Sequence, residues 1–168
     1  MKTVFRIQNA LLKSIHVDLS RPHPFAHERV GFIACRVGGL PEGQLLLADS
    51  YCVVADEDYE NDPSVGAMMG SGAIRKALQF SYSEGTAMFH VHRHEHKGKP
   101  GFSKIDISEG GKFVPDFWNV NRSMPHGMIV LSKDSMTGAW WDPKNKQTQY
   151  IDEMVVIGRV ISNFGGKP

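Results

Sequence analysis

The sequence predicts an α/β or α+β domain: a mixed sheet with a few helices and its functional groups at one sheet edge. Three observations lead to this. Runs rich in β-branched and aromatic residues, bounded by Gly and Pro, recur along the chain as strands do. Between them lie stretches whose apolar residues fall at helical spacing. Residues 29–55 hold two strand-like runs joined by glycine-rich turn chemistry, which reads as a hairpin. At 168 residues the chain suits one domain that buries its own core.

Taken in order, residues 3–7 form a short strand. Residues 9–19 form a helix, with Leu11, Leu12, Ile15 and Leu19 at helical spacing and Asn9 as its N-cap. Pro22 and Pro24 stop it, because proline cannot continue the hydrogen-bond ladder. Glu28 opens a strand at 29–37, residues 38–43 turn, and 44–55 return. Residues 56–63 are a polar, acidic loop. Residues 72–83 form a helix with Ile74, Ala77 and Leu78 on one face, closed by Glu84 and Gly85. A strand follows at 86–92. A helix starts at Ser103 and runs to about Gly110, strands occupy 127–132 and 139–142 around a turn at 134–138, and 150–161 favours a final strand.

Composition removes several functional classes. The net charge is +1 and the basic residues are scattered, which predicts neither a nucleic-acid nor an acidic-membrane partner. No window approaches the length of a membrane span, and the opening residues lack the apolar run of a signal peptide. A cytoplasmic protein is the expectation. Cys35 and Cys52 each sit in an apolar run without a Cys-x-x-Cys partner, as buried free thiols do.

Four of the eight histidines alternate in one run, His90-Val91-His92-Arg93-His94-Glu95-His96, and a Ser-x-x-Asp follows at Ser103 and Asp106. Alternation at period 2 places side chains on one face of a strand. Imidazoles displayed side by side, with a carboxylate returning from the next helix, make a transition-metal site. Such a catalytic site needs three protein ligands and a nearby carboxylate that is not a ligand, to move a proton. The apolar lead-in Ala87-Met88-Phe89 favours His90/His92 as the ligand pair, at the end of a buried strand; His92/His94 is the alternative. Ser103 and Asp106 also read as a helix N-cap and its N3 partner.

His-x-His followed by Ser-x-x-Asp resembles the JAMM motif of the JAB/MPN metalloprotease family. That motif includes an upstream glutamate at the start of a strand, and Glu28-Arg29-Val30-Gly31 is similar to it. The resemblance spans roughly residues 28–142. It implies that His90, His92 and Asp106 bind zinc, that Glu28 is the general base and proton shuttle, and that Ser103 hydrogen-bonds the oxyanion. Two departures stand out. Arg93 replaces the usual proline after the second histidine. The loop to Asp106 is longer than the family's for His90/His92 and for His92/His94, and shorter for His94/His96; a loop lengthens at little entropic cost.

The resemblance also implies a single JAB/MPN-like domain at 1–164, with a curved mixed sheet flanked by helices in a cytidine-deaminase-like arrangement, and a flexible tail at 165–168. Active family members hydrolyse amide or isopeptide bonds, often after the C-terminal glycine of ubiquitin or a ubiquitin-like protein. The small size and long His-rich loop look like the prokaryotic members, found with conjugation enzymes in shared operons, including antiviral ones. Residues 55–72 correspond to a place where family members seat the substrate tail as an added strand. Two rivals are a metallo-amidase acting on a carrier-protein tail or peptide, and an inactive MPN interaction scaffold.

Overall fold

Every long apolar run of the chain becomes a strand of one mixed sheet in the computed structural model, which describes residues 1–24, 27–62, 64, 66–158 and 161–165. Strands β1 (Lys2–Gln8), β2 (Val30–Leu40), β3 (Gly43–Val53), β6 (Ala87–Arg93), β7 (Gly127–Leu131), β8 (Met136–Trp141), β9 (Thr148–Tyr150), β10 (Glu153–Ile157) and β11 (Ser162–Gly165) lie in the order β11-β10-β1-β3-β2-β6-β7-β8-β9. Strands β4 (Tyr59–Glu60) and β5 (Met68–Met69) pair as a separate ribbon. The helices are α1 (Asn9–Leu19), α2 (Ser71–Glu84) and α3 (Lys104–Phe117). The pairs β1/β3, β1/β10 and β6/β7 are parallel, and the others are antiparallel. The sheet curls strongly; Ile151, just before β10, donates its N–H to the Gly138 carbonyl of β8 at 2.9 Å.

Both faces of the sheet are covered. Against α1 pack Phe5, Ile33, Leu46, Phe89, Val91 and Trp140. On the other face Val30, Phe32 and Met88 pack against α2 and against Phe117 of α3. Strand β6 therefore divides by its pleat: Phe89 and Val91 go to the α1 side, while Met88, His90 and His92 go to the α2/α3 side. At full burial each of these apolar side chains stabilises the fold by roughly 1.5–3 kcal/mol.

The local signals mostly placed the elements and sometimes misplaced their ends. The hairpin forms, but its strands run through the glycines to Leu40 and Gly43, because the Gly38–Leu45 and Gly39–Gln44 pairs keep the ladder going. Asn9 is the first helical residue and not the cap. Gln8 occupies that position while still paired to Ile157 in the sheet, so strand passes into helix without a capping turn. Met136–Gly138, expected to turn, belongs to β8 and pairs with Ile129–Leu131. Helix α3 passes Gly110 and ends at Phe117; a Cβ at Gly110 would sit 2.3 Å from Met128 Sδ, so the glycine lets the helix lie close on β7. Gly85 closes α2 in the left-handed conformation, φ +61°.

Gly165 is not tail but the last residue of β11, paired with Glu153; residues 166–168 lie outside the described residues. Cys35 is fully buried and Cys52 only partly so, and burial pushes the Cys52 thiol up to about 11. Among the described residues no helix is long and apolar enough to cross a membrane.

Candidate metal centre

The site forms where β2 starts and β6 ends. The two strands are antiparallel, with Phe32 opposite His90 and Val30 opposite His92. Directly opposed residues point to the same face; the ladder ends at Val30, and Glu28, two residues before it, interacts electrostatically with His94 and Asp106. The strand end is held beyond its last ladder pair: His94 N–H donates to the Leu131 carbonyl at 2.8 Å and Lys133 N–H to the His96 carbonyl at 3.0 Å. His94 is thus anchored on β7, although it reads as loop in sequence.

Helix α3 delivers the carboxylate. Ser103 is its N-cap: the Oγ accepts from Asp106 N–H at 3.1 Å, and Asp106 Oδ2 accepts from Ser103 N–H at 2.6 Å. With Oδ2 fixed, Oδ1 lies 3.5 Å from His92 Nε2. His92 Nε2 lies 3.2 Å from His94 Nε2. Donor atoms set tetrahedrally at about 2.0–2.1 Å from one ion are about 3.3 Å apart, so this spacing is that of a first coordination shell. The donor atoms of His92, His94 and Asp106 all lie within 4.8 Å of one another, and the cluster can hold a metal ion.

The cluster that could hold an ion brings together His92 and His94, the alternative pair, and leaves His90 outside it. His90 sits on the same face but one pleat deeper, its ring edge-on to Phe32 at 5.7 Å and to Phe113 of α3 at 5.1 Å. Its Nδ1 is buried without a hydrogen-bond partner, and burial pushes its pKa down to about 3. Phe32 and Phe113 line this ring, and the His92 ring lies 5.8 Å from it. The apolar lead-in to His90 marks the interior of the strand, while ligands that must meet an incoming ion belong to its end.

Electrostatics suit metal binding and proton transfer. His92 is 3 % exposed, and burial pushes its pKa down to about 4 while Asp106 pulls it up. It is neutral at neutral pH, as a ligand must be. Glu28 is half-buried, and desolvation lifts its carboxyl above the ordinary range, opposed by His94 and reinforced by Asp106. A carboxyl raised in this way holds a proton more readily than an exposed one does.

Three other histidines have different surroundings. His27 donates its backbone N–H to the Gly66 carbonyl at 2.9 Å, and its side chain favours the charged form of Glu28. His23 packs edge-on against Tyr59, ring centroids 4.3 Å apart. His126 is structural: its Nδ1 accepts from Met88 N–H at 3.0 Å, its Nε2 faces the Asn121 carbonyl at 3.1 Å, and its ring stacks on Phe117. Arg93 pairs with Glu95 and with the hydroxyl of Ser20 after α1.

Part of segment 55–72 does reach the site. The Gly66 carbonyl accepts from Glu28 N–H at 3.0 Å, and Arg29, 3 % exposed, pairs with Asp56 at 2.7 Å. Gly66, which carries the contact to Glu28, has no motif that singles it out in the sequence. A scan of protein-family models gave no match to this chain, and neither did a search of curated proteins.

Proposed function

We propose that this protein is a zinc-dependent amide hydrolase that cleaves after the C-terminal glycine of ubiquitin or a ubiquitin-like protein, as its JAMM-like motif suggests. One observation carries the reading: a two-histidine, one-aspartate cluster whose His92–His94 and His92–Asp106 separations are near tetrahedral spacing, beside a glutamate that senses His94 and Asp106. Three protein ligands that leave a fourth position open are the pattern of catalytic zinc.

His92, His94 and Asp106 would hold the zinc. When bound, zinc supplies the Lewis acidity that makes water nucleophilic at neutral pH and polarises a carbonyl. Glu28 takes the proton from the attacking water and passes it to the leaving amine. Ser103 accepts from the Asp106 amide through its oxygen lone pair, so its O–H proton remains to be donated to the developing oxyanion. The preference for a ubiquitin-like tail rests on the motif resemblance; amide hydrolysis rests on the donor set and Glu28.

The test pairs metal content with turnover. Wild-type protein and Glu28→Gln are analysed for zinc and assayed on a ubiquitin-like protein carrying a C-terminal amide-linked reporter. The expected result is about one zinc in each, with cleavage by the wild type and a loss of at least about 100-fold in Glu28→Gln. Wild type without zinc, or a Glu28→Gln variant that cleaves like wild type, removes the proposal and leaves the scaffold reading.

A further inference from the structure

Glu28 lies just before the first residue of β2, where the sheet has lost a neighbour. Strand β3 stops at Val53, opposite Gly31. The N–H and C=O of Val30 point toward the side β3 has vacated, and unpaired buried backbone groups are costly. Tyr59, 8 % exposed, fills the gap with its phenol: the oxygen accepts from Val30 N–H at 2.9 Å and the O–H donates to the Val30 carbonyl at 3.1 Å. Burial raises the pKa of Tyr59, which keeps the donating proton in place at neutral pH. Two residues further out, the Gly66 carbonyl accepts from Glu28 N–H at 3.0 Å. A side chain and a carbonyl from the same segment thus replace two rungs of a missing strand.

That segment also touches the Glu28 side chain. A Cβ at Gly66 would lie 3.1 Å from Glu28 Oε2, with the φ of Gly66 outside the left-handed region. The carboxylate therefore rests against the Gly66 backbone. On its other side, Arg29 binds the Arg21 and Pro22 carbonyls at 2.9 and 2.7 Å and Asp56 at 2.7 Å, tying the lead-in to β2 to the same segment.

We propose that Tyr59 and Gly66 are positioning residues for the general base: together they stand in for the missing strand and fix the Glu28 carboxylate toward His92, His94 and Asp106. The inference rests on the amide-hydrolase reading for its catalytic consequence, and on the hydrogen bonds alone for its structural one. Misplacing a reacting group by about 1 Å costs up to about 100-fold in rate.

The experiment uses zinc-loaded full-length protein with two variants, Tyr59→Phe and Gly66→Ala. Amide exchange at Glu28 and Val30 is followed by NMR, zinc by elemental analysis, and kcat and KM on the amide-linked reporter. Tyr59→Phe is expected to keep its zinc, to exchange at least about tenfold faster at both amides, and to lose about tenfold in kcat with KM within about twofold. The loss disappears when the same change is made in Glu28→Gln, because no base remains to be misplaced. A purely structural role would lower stability and leave kcat untouched. Unchanged exchange at Glu28, or an equal loss in the Glu28→Gln background, overturns the inference. If Tyr59→Phe does not fold, Gly66→Ala decides: lower kcat at unchanged zinc and KM supports it, and wild-type kcat overturns it. If the wild type hydrolyses nothing, the hydrolase reading falls separately and the exchange data at Glu28 alone decide for or against positioning.

Discussion

Nε2 of His92 and Nε2 of His94 face each other at 3.2 Å, with Asp106 Oδ1 3.5 Å from the first. Two imidazole nitrogens this close share either one proton or one cation. The buried His92 is held neutral, and a carboxylate completes the triangle, so a divalent ion satisfies all three groups at once.

His94→Ala is expected to abolish stoichiometric zinc binding, and His90→Leu to retain it. His90→Leu also removes an orphaned buried nitrogen from an aromatic box, so its stability should be unchanged or raised by about 1 kcal/mol. Elemental analysis and thermal unfolding of the two variants check this. Zinc lost from His90→Leu and kept by His94→Ala would reverse the ligand assignment.

Ser103 carries two roles that substitutions can separate. Ser103→Ala removes the capping oxygen and is expected to cost about 1 kcal/mol in stability together with activity. Ser103→Asp restores a cap but supplies no hydroxyl donor, so stability should recover while kcat stays low. Recovery of both by aspartate would reduce Ser103 to a cap.

Acid should weaken the metal-free fold before its carboxylates titrate. His92 and His126 have folded pKa values of about 4, below the ordinary 6.5. The unfolded chain therefore binds more protons between these values, and stability is full above about 6.5 and falls as pH drops toward about 4. Each histidine contributes a slope of at most about 1.4 kcal/mol per pH unit in that window. His126 lies away from the cluster, so the effect should persist in His94→Ala. Calorimetry in chelator from pH 7 to 5 measures it, and a flat melting temperature over that range would contradict it.

The helices and the chemistry-bearing residues were legible because their signals are local. Helix α1 was bounded correctly by apolar spacing and two prolines, and the cap at Ser103 by its own tetrapeptide. The strand bearing the histidines was found from its apolar lead-in and its alternation. The choice among histidines was not legible, because period-2 alternation makes His90, His92, His94 and His96 equivalent along the strand. A partner strand breaks that equivalence: Phe32 lies opposite His90 and Val30 opposite His92, and the ladder ends there, before His94.

By itself, then, the sequence determined which residue types were available: paired imidazoles, a capped carboxylate, an upstream glutamate and an α+β framework to carry them. Tertiary structure decided which of them meet. The fold brings His92, His94 and Asp106 together and leaves His90 outside that cluster, the β7 backbone holds His94 past the strand end, and Tyr59 and Gly66 close the gap beside Glu28. These contacts join residues far apart in the chain, and backbone pairing is indifferent to the side chains that carry motifs. They depend on where β3 stops and β2 begins, a property of the assembled sheet and not of any segment read alone.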